Sequence, residues 1–235
     1  MRPDRVAAAL GVGALGVWCA PAAAPVFPPL ASVFGVPLRL NRRDGIALTF
    51  DDGPHPSGTP AVLELLDRAG VRATFYLVGE QVERRPSLAA EIAAAGHEIG
   101  IHGYRHTLLL RRTPRALAAD FDRAAAVIGE ATGQESRSYR PPYGIFSLAG
   151  LRLARERWEP LLWSRWGRDW EAKATAESIA ARATRALGPR DVVLLHDADD
   201  YSAAGSWRRT VAALPAVLEA LLQAGEPLVA ASQAT

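Results

Sequence analysis

From residue 46 onward, short apolar runs and stretches of helix-spaced apolar positions take turns along the chain. Runs rich in apolar, β-branched or aromatic residues at 46–50, 73–78, 98–101, 161–163, 191–195 and 227–230 predict strands, with a weaker one at 138–140. Between them, Ala/Leu-rich stretches at 60–69, 87–95, 114–131, 147–157, 175–187 and 206–224 predict helices. The punctuation agrees. Thr59-Pro60 and Thr113-Pro114 have the form of an N-cap followed by a first-turn proline, while Gly70, Gly96, Gly133, Gly188 and Gly225 stand where a helix gives way to the next strand. Strict alternation of this kind predicts an α/β fold built on a parallel sheet with crossover helices, either open and doubly wound or closed into a barrel.

The stretch before residue 41 has another character. Val6 to Leu38 contains no charged residue, and arginines flank it: Arg2 and Arg5 before, Arg39, Arg42 and Arg43 after. Such a segment is expected to engage a membrane. Its first part, Val6 to Ala20, is short against the roughly 17–25 residues of a spanning helix, and Pro21, Pro25, Pro28 and Pro29 interrupt its second part. An uncleaved anchor or shallow hairpin over residues 1–40 is therefore expected, with a signal peptide ending at Ala22-Ala23-Ala24 as runner-up. Residues 41–235 are then the folded domain, expected to be membrane-associated and extracytoplasmic, or secreted if the leader is cut.

Composition narrows the classes. A chain of 235 residues, 49% hydrophobic and 22% charged, is long enough for one domain with a substantial core and too short for two large ones. Its net charge is +2 and its arginines are scattered, with no basic run interleaved with aromatics, so no nucleic-acid partner is expected; a monomer is. A single cysteine, Cys19, excludes an intramolecular disulfide and a cysteine-based zinc site. Any metal must be held by histidines and carboxylates.

The chemistry begins where the first strand, Ile46 to Phe50, runs into Asp51-Asp52-Gly53-Pro54. Successive strand side chains point to opposite faces, but a Gly-Pro turn can re-aim both carboxylates into one site. Two carboxylates packed together repel, and one takes up a proton unless a cation or an arginine holds the pair ionised. Parallel α/β folds carry their active sites at the C-terminal strand ends. Asp51 and Asp52 come after the first strand, His102 and His106 after the third, Arg140 after the fourth, Asp169 after the fifth and His196 after the sixth, so all fall on one rim. His102 and His106, four residues apart, can reach one cation if their segment forms a helical turn, and Asp52 is the third ligand this set requires.

Thr49-Phe50-Asp51-Asp52-Gly53-Pro54, His102-Gly103-Tyr104-Arg105-His106, Arg140-Pro141-Pro142-Tyr143-Gly144, Arg168-Asp169-Trp170 and Leu194-Leu195-His196 resemble, in order, the five motifs of the NodB-type polysaccharide deacetylases, carbohydrate esterase family 4. The resemblance spans nearly all of residues 45–225. It implies a distorted seven-stranded parallel β/α barrel and metal-dependent hydrolysis of N-acetyl groups on N-acetylhexosamine-containing glycans: chitooligosaccharide, peptidoglycan or a lipid-linked envelope sugar. By motif, it implies that Asp52, His102 and His106 hold a divalent metal, Zn2+ first, with Co2+, Ni2+ or Mn2+ as alternatives. It further implies Asp51 as general base, His196 as general acid, Arg140 orienting Asp51 and Asp169 tuning His196. The Tyr143 backbone N–H would serve the oxyanion, and Trp170 and Leu194 would shape the acetyl pocket.

Two positions depart from the family pattern. Gly103 stands where Ser or Thr is usual, removing a hydroxyl from the second motif, and Trp166 stands where the fourth motif often has an aspartate. Trp163, Trp166 and Trp170 could form a sugar-stacking wall, with core packing equally open for Trp163. His97 is expected to be structural, His55 a loop residue, and Asp197 to Tyr201 part of a solvated lid. Competing readings are hydrolysis of another amide, such as a formamide on a lipid-linked amino sugar, and a catalytically silent glycan-binding domain.

Overall fold

The computed structural model describes residues 19–24 and 27–232, and residues 1–18, 25 and 26 of the expected membrane segment 1–40 lie outside the described residues. Seven strands, β1 (Ala47–Asp51), β2 (Thr74–Leu77), β3 (Glu98–Ile101), β4 (Ser138–Tyr139), β5 (Glu159–Pro160), β6 (Arg165–Trp166) and β7 (Val192–His196), form one sheet in the order β5-β4-β3-β2-β1-β7-β6. Every pairing is parallel. The helices are α1 (Pro28–Val33), α2 (Gly58–Ala69), α3 (Gly79–Arg84), α4 (Pro86–Ala94), α5 (Pro114–Thr132), α6 (Leu148–Arg155), α7 (Ala176–Ala183) and α8 (Ser206–Gln223).

β1 lies inside the sheet between β2 and β7, and all five of its residues are buried, as befits a strand covered on both faces. Phe50 stacks on Phe75 of β2 at 5.1 Å within the core. Edge strands β5 and β6 are joined by Leu161–Ser164 alone, a connection that can span only about 15–18 Å. The sheet must therefore curl toward a barrel, yet β5 and β6 do not pair, so one side stays open. Two structures fill that opening. The fully buried Arg140 donates through Nε to Leu161 O (3.1 Å) and through Nη2 to Leu162 O (2.9 Å). From outside, Pro37 O accepts from Leu162 N (3.0 Å), while Leu40 N donates to Arg190 O (2.9 Å).

Residues 28–40 thus pack on the domain, with Ala31, Val36 and Leu40 buried. Among the described residues no helix is long and apolar enough to cross a membrane.

Several predicted elements shift. The apolar run 161–163 is not a strand but the link between two two-residue strands, because its carbonyls serve Arg140 rather than a neighbouring strand. The run 227–230 contributes one isolated bridge, Ile46 to Leu228. The pattern gives no sign of α3, six residues being too few to show helical periodicity. Thr113 caps α5 as expected, accepting from Ala116 N at 3.3 Å, and Gly70 and Gly133 end their helices at φ 65° and 66°. Thr59, by contrast, is not an N-cap. It lies inside α2, its hydroxyl accepting from His55 N (2.7 Å) and donating to the buried Asp197 carboxylate.

Candidate active site

The strand ends converge because the sheet is in register at its C-terminal rim. Asp51, the last residue of β1, is the register partner of Tyr76 on β2 and of His196, the last residue of β7. At the next position the chain bends, with Asp52 at φ 79°, a left-handed conformation that aspartate tolerates better than most residues. That bend, one residue ahead of the predicted Gly-Pro turn, brings both carboxylates to one cavity. The cavity encloses about 300 Å3 and is lined by Asp51, Asp52, His102, His106, Tyr143, Gly144, Trp163, Trp166, Trp170, Leu194, His196, Tyr201 and Ser202. Arg140 and Asp169 are fully buried and reach it through Asp51 and His196.

His102 and His106 do not share a helical turn; they lie in an irregular segment that Gly103 bends at φ 87°. The segment is pinned by His102 N to Leu77 O, Gly79 N to Gly103 O and Glu80 N to Tyr104 O, each 2.9 Å. The segment is held further by Tyr104 N, which donates to Asp120 Oδ2 at 2.8 Å.

The donor set suits a divalent cation. His102 Nδ1 donates to Arg140 O at 2.8 Å, which leaves the lone pair on Nε2. Nε2 of His102 and of His106 stand 3.4 and 3.2 Å from Asp52 Oδ1, and one ligand atom from each of the three residues falls within 4.8 Å of the others. Asp52 Oδ1 is buried without a hydrogen-bond partner among the described residues, a state that costs about 1–3 kcal/mol or more unless a cation meets it. Burial alone would push the Asp52 carboxyl up, but the two imidazoles beside it and the charge on His196 outweigh burial and hold it well below the usual carboxylate range. It is a carboxylate at any ordinary pH.

Beside this trio, Arg140 Nη1 donates to Asp51 Oδ1 (2.6 Å) and to Thr49 Oγ1 (2.8 Å), and Thr49 Oγ1 donates to Val193 O (2.8 Å). The guanidinium lies 4.0 Å over the Tyr76 ring. Across the cavity, Asp169 Oδ1 binds His196 Nδ1 (2.9 Å), while its Oδ2 accepts from His196 N (2.7 Å) and Thr210 Oγ1 (2.8 Å). Burial alone would push His196 down; bonded Asp169, helped by the charges of Asp52 and Asp51, raises it instead to about 10. The imidazole is cationic at neutral pH.

The other residues singled out in the sequence sort by contact. Trp163, Trp166 and Trp170 do form one wall, with successive ring centroids 5.8 and 5.6 Å apart, and Trp170 meets His196 edge-on at 5.3 Å. Trp163 is also buried, so it serves core and cavity together. Tyr143 holds φ 61° at the rim. His97 is structural: its Nδ1 accepts from Ala73 N (3.2 Å), and burial lowers it to about 4. His55 braces the loops, accepting at Nδ1 from Gly58 N (2.8 Å) and pairing through Nε2 with Asp199 (3.2 Å). The segment after His196 is not a solvated lid. Asp197 is buried, Tyr201 lines the cavity, and Ala203 N donates to Trp170 O (3.2 Å). Thr210 escapes sequence reasoning altogether, and Thr49, inside the first motif, and Tyr201, in the segment read as a lid, are named there without these roles, for no local pattern marks a partner that lies far off in the chain.

The chain and its fold have counterparts among known proteins. The polysaccharide deacetylase family model matches residues 40–156. A peptidoglycan-N-acetylglucosamine deacetylase of Bacillus cereus is 35% identical over 197 residues, covering 82% of this chain and 89% of that protein. A chitooligosaccharide deacetylase of Azorhizobium caulinodans is 33% identical over 203 residues, covering 83% and 96%. A solved peptidoglycan N-acetylglucosamine deacetylase, in complex with 4-naphthalen-1-yl-N-oxidanyl-benzamide, superposes with a TM-score of 0.77 at 27% identity, covering 87% of this chain and 95% of that one.

Proposed function

The chain belongs to the polysaccharide deacetylase family and is a hydrolase of amide carbon–nitrogen bonds, and from that premise we propose that it removes N-acetyl groups from an N-acetylglucosamine-containing envelope glycan, with Asp52, His102 and His106 holding a divalent metal, Zn2+ first. The observation that carries this reading is the buried, unpartnered Asp52 Oδ1 facing two imidazole Nε2 atoms, next to the Arg140-bound Asp51. When bound, such an ion polarises the acyl carbonyl and makes water a competent nucleophile near neutral pH.

The chain's own groups do the rest. Asp51, fixed by Arg140 on one oxygen, takes the proton of the attacking water as general base. The Tyr143 N–H, at the rim, donates to the developing oxyanion. An amine leaves only when protonated, and His196, cationic and clamped by Asp169, delivers that proton. Trp170 and Leu194 flank the acetyl methyl, since both line the cavity beside His196.

The glycan class comes from the names of the relatives, one acting on peptidoglycan N-acetylglucosamine and one on chitooligosaccharide. The uncharged run before Leu38 supports membrane association, and an envelope-glycan substrate supports an extracytoplasmic domain; the membrane part would precede residue 20, because Ala20–Ala23 already touches α6 and Ala24 is buried in the core. Mass spectrometry of chitooligosaccharides and peptidoglycan fragments after incubation with zinc-loaded protein tests the reading. Acetate release matched by deacetylated glycan supports it. Formate release from formylated amino sugars alone, or glycan binding without turnover, would replace it.

A further inference from the structure

His106 lacks what fixes His102. A metal-ligating imidazole ordinarily donates its second N–H to an oxygen that locks its tautomer and orientation. His102 does so through the Arg140 carbonyl, whereas His106 Nδ1 is buried with no hydrogen-bond partner among the described residues. Its ring is held by aromatic neighbours instead. Tyr201 lies flat against it, with centroids 4.2 Å apart and planes 14° from parallel, and Tyr143 meets it edge-on at 4.4 Å.

Tyr201 is itself fixed at its far end. Its hydroxyl donates to Glu80 Oε1 (2.7 Å) and accepts from Gln81 Nε2 (2.9 Å). Gln81 Oε1 in turn accepts from Arg85 Nη1 (2.6 Å), which also donates to Pro54 O (3.1 Å) just beyond the aspartate pair. Glu80 and Gln81 belong to α3, whose first residues also hold the backbone of the 102–106 segment through Gly79 N and Glu80 N. One short helix therefore anchors both the backbone that carries His106 and the ring that packs against its imidazole.

We infer that Tyr201 is a positioning residue for His106: its tethered ring supplies the orientation that a hydrogen bond at Nδ1 would otherwise give, and so sets how tightly the Asp52, His102 and His106 trio holds a divalent cation. The inference rests on the reading of those three residues as a metal site. It also gives the loop after β7 a defined task, lining the cavity where it meets His106.

The test is the Zn2+ affinity of the full chain, by competition with a chromophoric chelator, for the wild type, Tyr201→Phe and Tyr201→Leu. The melting temperature of each metal-free protein verifies folding, and Tyr201→Ser takes the place of Tyr201→Leu should the latter fail to fold. Losing an outer partner of a ligand typically weakens metal binding by about 10–100-fold. The leucine variant is expected to fall in that range, the phenylalanine variant to recover most of the loss, and the turnover lost by the leucine variant to return at raised Zn2+ with KM for the glycan unchanged. Wild-type affinity in the leucine variant, or a phenylalanine variant as weak as leucine, overturns the role of the ring. If the wild type itself bound no Zn2+, the metal-site reading would fall first and this inference with it.

Discussion

Arg140 Nη1 and Asp51 Oδ1 stand 2.6 Å apart, with both side chains buried. The same guanidinium bridges the open side of the sheet through the Leu161 and Leu162 carbonyls, so one residue joins the stability of the curled sheet to the orientation of the proposed base. Removing one member of a buried ion pair typically costs about 3–5 kcal/mol, because the other charge is left without compensation. Arg140→Met should lose that much stability in urea denaturation as well as turnover. A loss below about 1 kcal/mol would mean that the pair is not braced as described.

Asp51 and the metal trio should separate under mutation. Asp51→Asn keeps the size of the side chain and leaves Asp52, His102 and His106 untouched, so it should retain Zn2+ and lose acetate release. His102→Ala should lose both, which equilibrium dialysis and an acetate assay would show. An Asp51→Asn variant with near-wild-type turnover contradicts the assignment of the base.

Asp169 and His196 predict a pH dependence. The folded-state value of His196 is raised to about 10 from an ordinary 6.5. The stability this contributes is fully present below about pH 6.5 and is lost as pH rises through about 10. Denaturation of the metal-free protein from pH 6 to 10 should show that decline, and Asp169→Asn should flatten it. Equal slopes in both proteins would rule out the pair as its source.

Thr210 is a quieter test of the same pair. Its hydroxyl donates to Asp169 Oδ2 at 2.8 Å from 41 positions away in the chain. Hydrogen bonds to charged groups contribute about 1.5–3 kcal/mol. Thr210→Val should lose a comparable amount of stability and slow turnover without changing Zn2+ affinity; weakened metal binding would place Thr210 in the wrong half of the site.

How much of the site is legible in the chain depends on how far each interaction reaches. Asp51, Asp52, His102, His106, Arg140, Asp169 and His196 stand out because their residue types are costly to bury unpaired and because strand ends are visible as the close of apolar runs. Thr59 misleads because its local setting, a Thr-Pro at a helix start, matches a cap, whereas its hydroxyl answers to Asp197 across 138 positions. The strand expected at 161–163 fails for a similar reason: apolar character signals burial, but the carbonyls there bond to Arg140 instead of a strand. Tyr201 lies in a polar, glycine-containing segment that reads as solvated until its ring is seen on His106. Short-range pattern carries the frame, and the long-range polar contacts that complete the cavity leave no local trace.

The most direct test is a crystal structure of the zinc-soaked protein with anomalous data on both sides of the zinc edge. A single strong anomalous peak within bonding distance of Asp52, His102 and His106, with Asp51 still on Arg140, is the predicted result. A peak elsewhere on the surface with none between these three side chains would contradict it.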